Sequence, residues 1–301
     1  MIIFYFRSSR RSAFLKIDFF YRLVMTRKKK NTKPIETLMS EALMRSGYTL
    51  ESRIITKLVQ RNFFVEPNQR ILDARTGKSR EIDLIAELFE YDPKSSAAKH
   101  MVFVSTYFVC EAKNNPYPVA LLTELPFSPA LETWESMHEG KTGFFRDNDL
   151  EPSFYDFFSK EQKIYTQYCS FRPKKGDTES EWMAWHPDDF YDDLEKIISY
   201  CRSAAKQATA MEDDHHRLHL YLPVVILGGD LFVAELAEEA ITLTKAHAAL
   251  HMHFDIQEGE QGLSLVLFVT EKHFLKLFEK ILQFGRGIQA EITAQLGSER
   301  S

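Results

Sequence analysis

The sequence predicts a mixed α/β fold, with a mixed β-sheet flanked by α-helices and interrupted by an aromatic-rich inserted region. Three observations carry this. Two stretches of helically spaced apolar residues come first, an extended meander follows them, and a second helix-then-strands succession closes the chain. The 301 residues are enough to bury a substantial core, and 44% hydrophobic with 27% charged residues is ordinary globular composition.

The elements follow in order. Residues 1–24 are aromatic and apolar but broken by Arg7, Arg10, Arg11, Lys16, Asp18 and Arg22. That pattern fits neither a spanning helix nor a signal peptide. Met25 before "TRKKKNTKP" reads as an ordinary start, so residues 1–32 are expected to be a mis-called or disordered extension. Residues 33–301 are then one domain. Pro34 suits a first helical turn, and "IETLMSEALM" keeps helical spacing up to Gly47. "TLESRIITKLVQRN" is a second helix with Leu50, Ile54 and Leu58 in one stripe and Glu51 in its first turn, where the helix dipole favours a carboxylate.

"FFVEPNQRILDA" reads as broken extended chain, "RTGK" as a turn, and "SREIDLIAELF" as a strand. Strict alternation would put Ile82, Leu84 and Ala86 on one face and Glu81, Asp83 and Ile85 on the other. After the loop "EYDPKSSAAKH", the run "MVFVSTYFVCEAK" is apolar and β-branched enough for a central strand. Its period of two sets Glu111 and Lys113 on one face, Cys110 and Ala112 on the other. Residues 116–188, with Trp134, Trp182 and Trp185, hold no periodicity for long and read as an insertion or lid on the main domain. "PDDFYDDLEKIISYCRSAAKQATA" is a helix, acidic at its start. "HLYLPVVILGGDLFVAEL" is two strands around a Gly-Gly-Asp hairpin turn. "AALHMHFDI" and "LSLVLFVT" are strands, and "EKHFLKLFEKILQF" is a closing helix.

Bulk properties narrow the function. A formal net charge of −5 gives no general polyanion-binding surface, so nucleic-acid contact would need a local basic patch or a metal ion. Cys110, Cys169 and Cys201 lie far apart with no C-x-x-C spacing. They exclude a cysteine-rich zinc site and point to a reducing, cytoplasmic setting. His247 and His251 could share a helical face, with His253 beyond it. A helix-to-strand change after His251 and the lack of a fourth ligand argue against zinc there. Gly228-Gly229 lacks a following Lys-Ser/Thr and is no phosphate loop.

The chemistry concentrates in acid-x-lysine triplets, of which the chain has four: Asp92-Pro93-Lys94, Glu111-Ala112-Lys113, Glu139-Gly140-Lys141 and Glu161-Gln162-Lys163. Only the second ends a long buried strand with another acid, Asp83, on the strand before it. Neighbouring strands can bring two such carboxylates within the span of one cation. The competing account is a solvated Glu111–Lys113 ion pair that contributes little stability.

Glu51 in "GYTLESRI", Asp83 in "REIDLIAE", and Glu111 with Lys113 in "VCEAKNN" resemble the PD-(D/E)xK, or restriction-endonuclease-like, nuclease superfamily. The resemblance covers residues 47–115 and continues loosely through the helix near 189–209 and the strand at 220–227. Two departures are Ile82 in place of the naming proline and the long insertion at about 116–188. The resemblance implies a restriction-endonuclease-like fold and an Mg2+- (or Mn2+-) dependent deoxyribonuclease, a hydrolase serving defence against foreign DNA or DNA repair. Asp83, Glu111 and the Ala112 carbonyl would hold the cation, Lys113 would assist the attacking water, and Glu51 would complete the acidic cluster. Lys206 or Gln207 on the following helix would assist. The implied partners are DNA and a second copy of the chain as a homodimer, with no stable membrane association. The alternative is a catalytically inactive nuclease-fold module that binds nucleic acid or protein.

Overall fold

The computed structural model describes residues 33–72, 77–91, 101–125, 130–147, 153–161, 163–174, 181–186, 188–211, 215–236, 240–257 and 260–298. The expected extension at 1–32, the loop at 92–100 and the first half of the "RTGK" turn lie outside them. The chain divides into two units, residues 1–44 and 45–301. In the first, helix α1 (Ile35–Arg45) buries none of its side chains. Everything below concerns the second.

Helix α2 (Tyr48–Val59) buries Leu50, Ile54 and Leu58 in the spacing its sequence predicts. An antiparallel meander of β1 (Phe64–Leu72), β2 (Ser79–Tyr91) and β3 (Val102–Lys113) follows. Between β3 and helix α6 (Asp188–Ala210) come β4 (Val119–Glu124), α3 (Leu131–His138), β5 (Glu139–Lys141), α4 (Phe144–Asp147), α5 (Phe154–Glu161), β6 (Ile164–Pro173) and β7 (Trp182–Trp185). The chain ends with β8 (His216–Leu227), β9 (Leu231–Leu236), β10 (Ile241–Ala246), β11 (Ala248–Gln257), β12 (Glu260–Thr270) and α7 (Phe274–Ser298). All described strands form one mixed sheet in the order β1-β2-β3-β8-β12-β11-β6-β4-β9-β10, with β5 beside β8 and β7 beside β6. Among the described residues no helix is long and apolar enough to cross a membrane.

Strand β3 is buried on both faces, which explains its unbroken apolar run. On one face Phe108, Cys110 and Ala112 join a core with α2, α5 and α7; on the other Val109 joins a core with Phe190, Leu194 and Ile197 of α6. Strand β8 runs parallel to β3 over its whole length, Val102 opposite His216 to Lys113 opposite Leu227. Pro223 is tolerated inside this central strand because it falls at a gap on the other edge. There β8 pairs with β5 up to Leu220 and with β12 only from Val224.

The sheet curls strongly. Only residues 228–230 separate β8 from β9, a step of at most about 14 Å between Leu227 and Leu231. Five flat strand spacings along the path between them would need about 24 Å. Correspondingly, Val109, Val225, Phe268, Ala249, Tyr165, Leu121 and Leu231, from seven different strands, meet in the single core under α6.

Four sequence expectations are corrected here. Residues 116–188 are no separate lid, because β4, β5, β6 and β7 extend the same sheet; β4 and β5 pair with strands distant in sequence, which no local period marks. The Gly-Gly-Asp turn is no hairpin, since β9 pairs with β4 and β10 and not with β8. No helix carries His247 and His251; β10 and β11 flank His247 instead. Finally, Ile82 lies in the α6-side core while Leu84 and Ala86 lie in the other, so alternation breaks at Asp83.

Helix α2 is fastened to the end of β12 by Glu271. Its carboxylate accepts from Arg53 Nε at 2.9 Å and Nη2 at 2.8 Å, and from Lys57 Nζ at 2.9 Å. The Arg53 hydrogen bond, followed by that of Lys57, outweighs burial and depresses the Glu271 pKa to about 2. A depressed carboxylate contributes stability above its unfolded value, near 4.5, and loses it as pH falls toward 2. Because both cations are substantially exposed, Glu271→Gln is expected to cost only about 1 kcal/mol at pH 7 and little at pH 2. Thermal melts at the two pH values check this; an equal loss at both would refute the charge-based account.

Candidate active site

The three parallel strands β3, β8 and β12 end on the same side of the sheet, where ligand sites of α/β sheets form. Glu111 and Lys113 project there toward α6. Strand β2 should continue its ladder with Asp83 opposite Glu111 and Ile82 opposite Ala112, but the pairing stops at Leu84 opposite Cys110. Asp83 supplies the missing bond itself, its Oδ2 accepting the Ala112 N–H at 2.8 Å. The N–H and C=O of a strand residue project to the same edge, so the Ala112 carbonyl faces this gap as well.

Glu111 is only 1% exposed. Lys196 Nζ lies 2.5 Å from its Oε1 and Lys113 Nζ 3.4 Å from its Oε2. Lys113 also pairs with Asp193 Oδ2, and Lys196 lies 3.4 Å from Asp193 Oδ1. The four groups form a closed ring of alternating charge between β3 and the second turn of α6, with Lys113 above the Phe190 ring at 5.8 Å.

This ring does not neutralise the site. Burial first, and then the Asp83 carboxylate, push the Glu111 pKa up to about 7, against the opposing pull of Lys196 and Lys113. Asp83 is raised by burial in spite of the Ala112 N–H. Glu51, at the start of α2, is raised by burial, then by Asp83 and Glu81. The Asp83 carboxyl therefore acts on both Glu51 and Glu111. Burial alone would lower Lys113, but Asp193 and Glu111 outweigh it and raise it, so this lysine stays an ammonium at neutral pH.

The loop after β3 is pinned by the turn after β8. Asn115 Oδ1 accepts from Gly229 N at 3.3 Å, and Asn114 Nδ2 donates to Ser46 O at 2.8 Å. A Cβ on Gly229 would sit 2.5 Å from the Asn115 carbonyl oxygen, so only glycine allows this approach.

The structure thus brings Glu51, Asp83, Glu111, the Ala112 carbonyl and Lys113 to one place. It does not bring Lys206 or Gln207. Both are exposed, Gln207 donating to Ser203, and Lys206 lies about 15 Å along α6 from Lys196. The correction has a simple cause: α6 presents its second turn to the end of β3, and Lys206 and Gln207 are three turns further on. Sequence reasoning missed Asp193 and Lys196. Their i, i+3 spacing on an amphipathic helix was the available signal, but it marks surface pairs equally well.

The donors fit a hard divalent cation: two mutually destabilising carboxylates and a carbonyl, all oxygen. Among the described residues no group of three or more histidine, cysteine, aspartate or glutamate side chains is arranged to hold a metal ion. Comparison of the chain with protein-family models, with curated proteins and with solved structures finds no match to any of them.

Proposed function

We propose that this protein is a metal-dependent nuclease that hydrolyses phosphodiester bonds in DNA, in defence against foreign DNA or in DNA repair. The observation that carries the reading is the convergence of Asp83, Glu111 and Lys113 at a break in the β2–β3 ladder, with Glu111 buried and raised toward neutrality. Such a cluster is unfavourable unless something uses it. The succession α2, β1, β2, β3, α6, β8, with Glu51 on α2, Asp83 on β2 and Glu111 and Lys113 on β3, also supports this reading.

In this reading Asp83, Glu111 and the Ala112 carbonyl hold Mg2+ or Mn2+. The bound ion would polarise the scissile phosphate and acidify its water. Lys113, a fixed ammonium, orients that water and stabilises charge developing on the phosphate. Asp193 holds Lys113 in place, and Glu51 adds negative charge at the cluster's rim.

One observation favours a second reading. Lys196 pairs closely with Glu111, so an ammonium can stand in for the cation, leaving a nuclease-fold module that binds without cleaving. Plasmid and single-stranded DNA incubated with Mg2+ or Mn2+ separate the two. Metal-dependent cleavage that disappears in Asp83→Asn is the expected result. No cleavage of either substrate with either metal, together with thermal melts unmoved by the ion, would leave the binding module.

A further inference from the structure

A second constellation lies at the same end of the sheet. His247 stands between β10 and β11, β12 ends at Thr270, and α7 begins at Phe274. They border a cavity of about 790 Å3 lined by His247, His273, Lys276 and Lys280 over apolar Ala246, Ala248 and Leu277. The His247 and His273 rings stack with centroids 3.7 Å apart. Thr270 Oγ1, 2.8 Å from His273 Nδ1, fixes the second ring.

Charge here is one-sided. Of the lining side chains only Glu279 is acidic, and it pairs with Arg61. Lys280 lies over the Phe157 ring at 5.4 Å, and Lys245, just outside, pairs with Asp230 at 2.8 Å. Asp230 senses Lys272 as well, and among the described residues no carboxylate pairs with Lys276. Burial, then His247, and then Lys272, Lys276 and Lys245 all push the His273 pKa down. The surrounding cations therefore disfavour the protonated form of this ring, which a nearby anion would favour. The start of α7 adds partial positive charge. The space is that of a small-molecule site and far exceeds one inorganic anion, and its floor suits a flat, apolar group.

We propose that this cavity binds a nucleoside phosphate, with the phosphate against Lys276 and the two histidines and the nucleoside on Ala246, Ala248 and Leu277. The ligand is a free nucleotide or one nucleotide of a nucleic-acid strand, which share this chemistry. Thr270 is in register with Leu227, and Leu227 with Lys113. Two strand spacings, about 10 Å, therefore separate the ends of β12 and β3. The site stands on its own cavity and does not depend on hydrolysis at Glu111.

The test is calorimetric titration of the full chain, without divalent cation so that the carboxylate cluster plays no part. The probes are AMP, adenosine and a 5′-phosphorylated oligonucleotide. AMP should bind at least about tenfold more tightly than adenosine. Lys276→Glu should weaken AMP by tenfold or more. Lys276 is exposed, so the fold should survive; Lys276→Gln, tested alongside, should weaken it less. Tighter binding of the oligonucleotide than of AMP assigns the site to a nucleic-acid strand, and the reverse to a free nucleotide. Equal affinity for AMP and adenosine, no binding of AMP at millimolar concentration, or wild-type affinity in Lys276→Glu would overturn the proposal.

Discussion

Glu111→Gln is expected to abolish metal-dependent DNA cleavage, by roughly three orders of magnitude or more, and with it the thermal stabilisation by Mg2+ or Mn2+. Wild-type protein at a hundredfold excess of ion over Kd should gain about 2.7 kcal/mol, because the donors meet only in the folded chain. The variant should also change the dependence of stability on pH. Glu111 is raised to about 7, first by burial and then by Asp83. A raised carboxylate favours folding fully below its unfolded pKa, near 4.5, and progressively less as pH climbs through 4.5 to 7. The difference is on the order of 3 kcal/mol. Metal-free wild type should therefore lose stability across this window, whereas the variant, with nothing to titrate there, should be flatter. Chemical denaturation at pH 5 and pH 7.5 measures both slopes. Parallel slopes would sink the idea that Glu111 is held in an unfavourable charged state.

Lys113→Ala separates chemistry from binding. Lys113 touches Asp193 and Glu111 and is raised, so it acts as a fixed positive charge and is no base. Its loss should lower cleavage by roughly two orders of magnitude. The ammonium is no metal ligand and repels the cation, so metal affinity should hold or rise. Lys196 still faces both Asp193 and Glu111, which limits the stability cost to about 1–2 kcal/mol. Paired measurements of ion binding and DNA cleavage decide the matter. Undiminished cleavage would reduce "CEAKNN" to a structural ion pair, and any activity would have to originate elsewhere in the chain.

The residues explain how much of this was legible. Helix α2 could be read because Leu50, Ile54 and Leu58 repeat at a helical period and are buried as that period requires. Strand β3 could be read because it is buried on both faces and admits little but apolar side chains. The same period of two assigned Glu111 and Lys113 to a common face. Asp83 was singled out by its place on the preceding strand, although the alternation around it misplaced Ile82. A side chain that replaces a ladder hydrogen bond leaves no periodic trace.

The sequence by itself determined the local elements and the acidic residues worth watching, since those depend on spacing within a dozen residues. Only the tertiary structure decided that β4, β6 and β7 extend the sheet, that β8 and β9 join different strands of a curled surface, and that Asp193 and Lys196 close the ring around Glu111. It also decided that Lys206 and Gln207 lie away from that ring. Each of these follows from how far α6 reaches along β3 and how tightly the sheet coils. Those are set by packing between residues a hundred positions apart, and no local pattern encodes them.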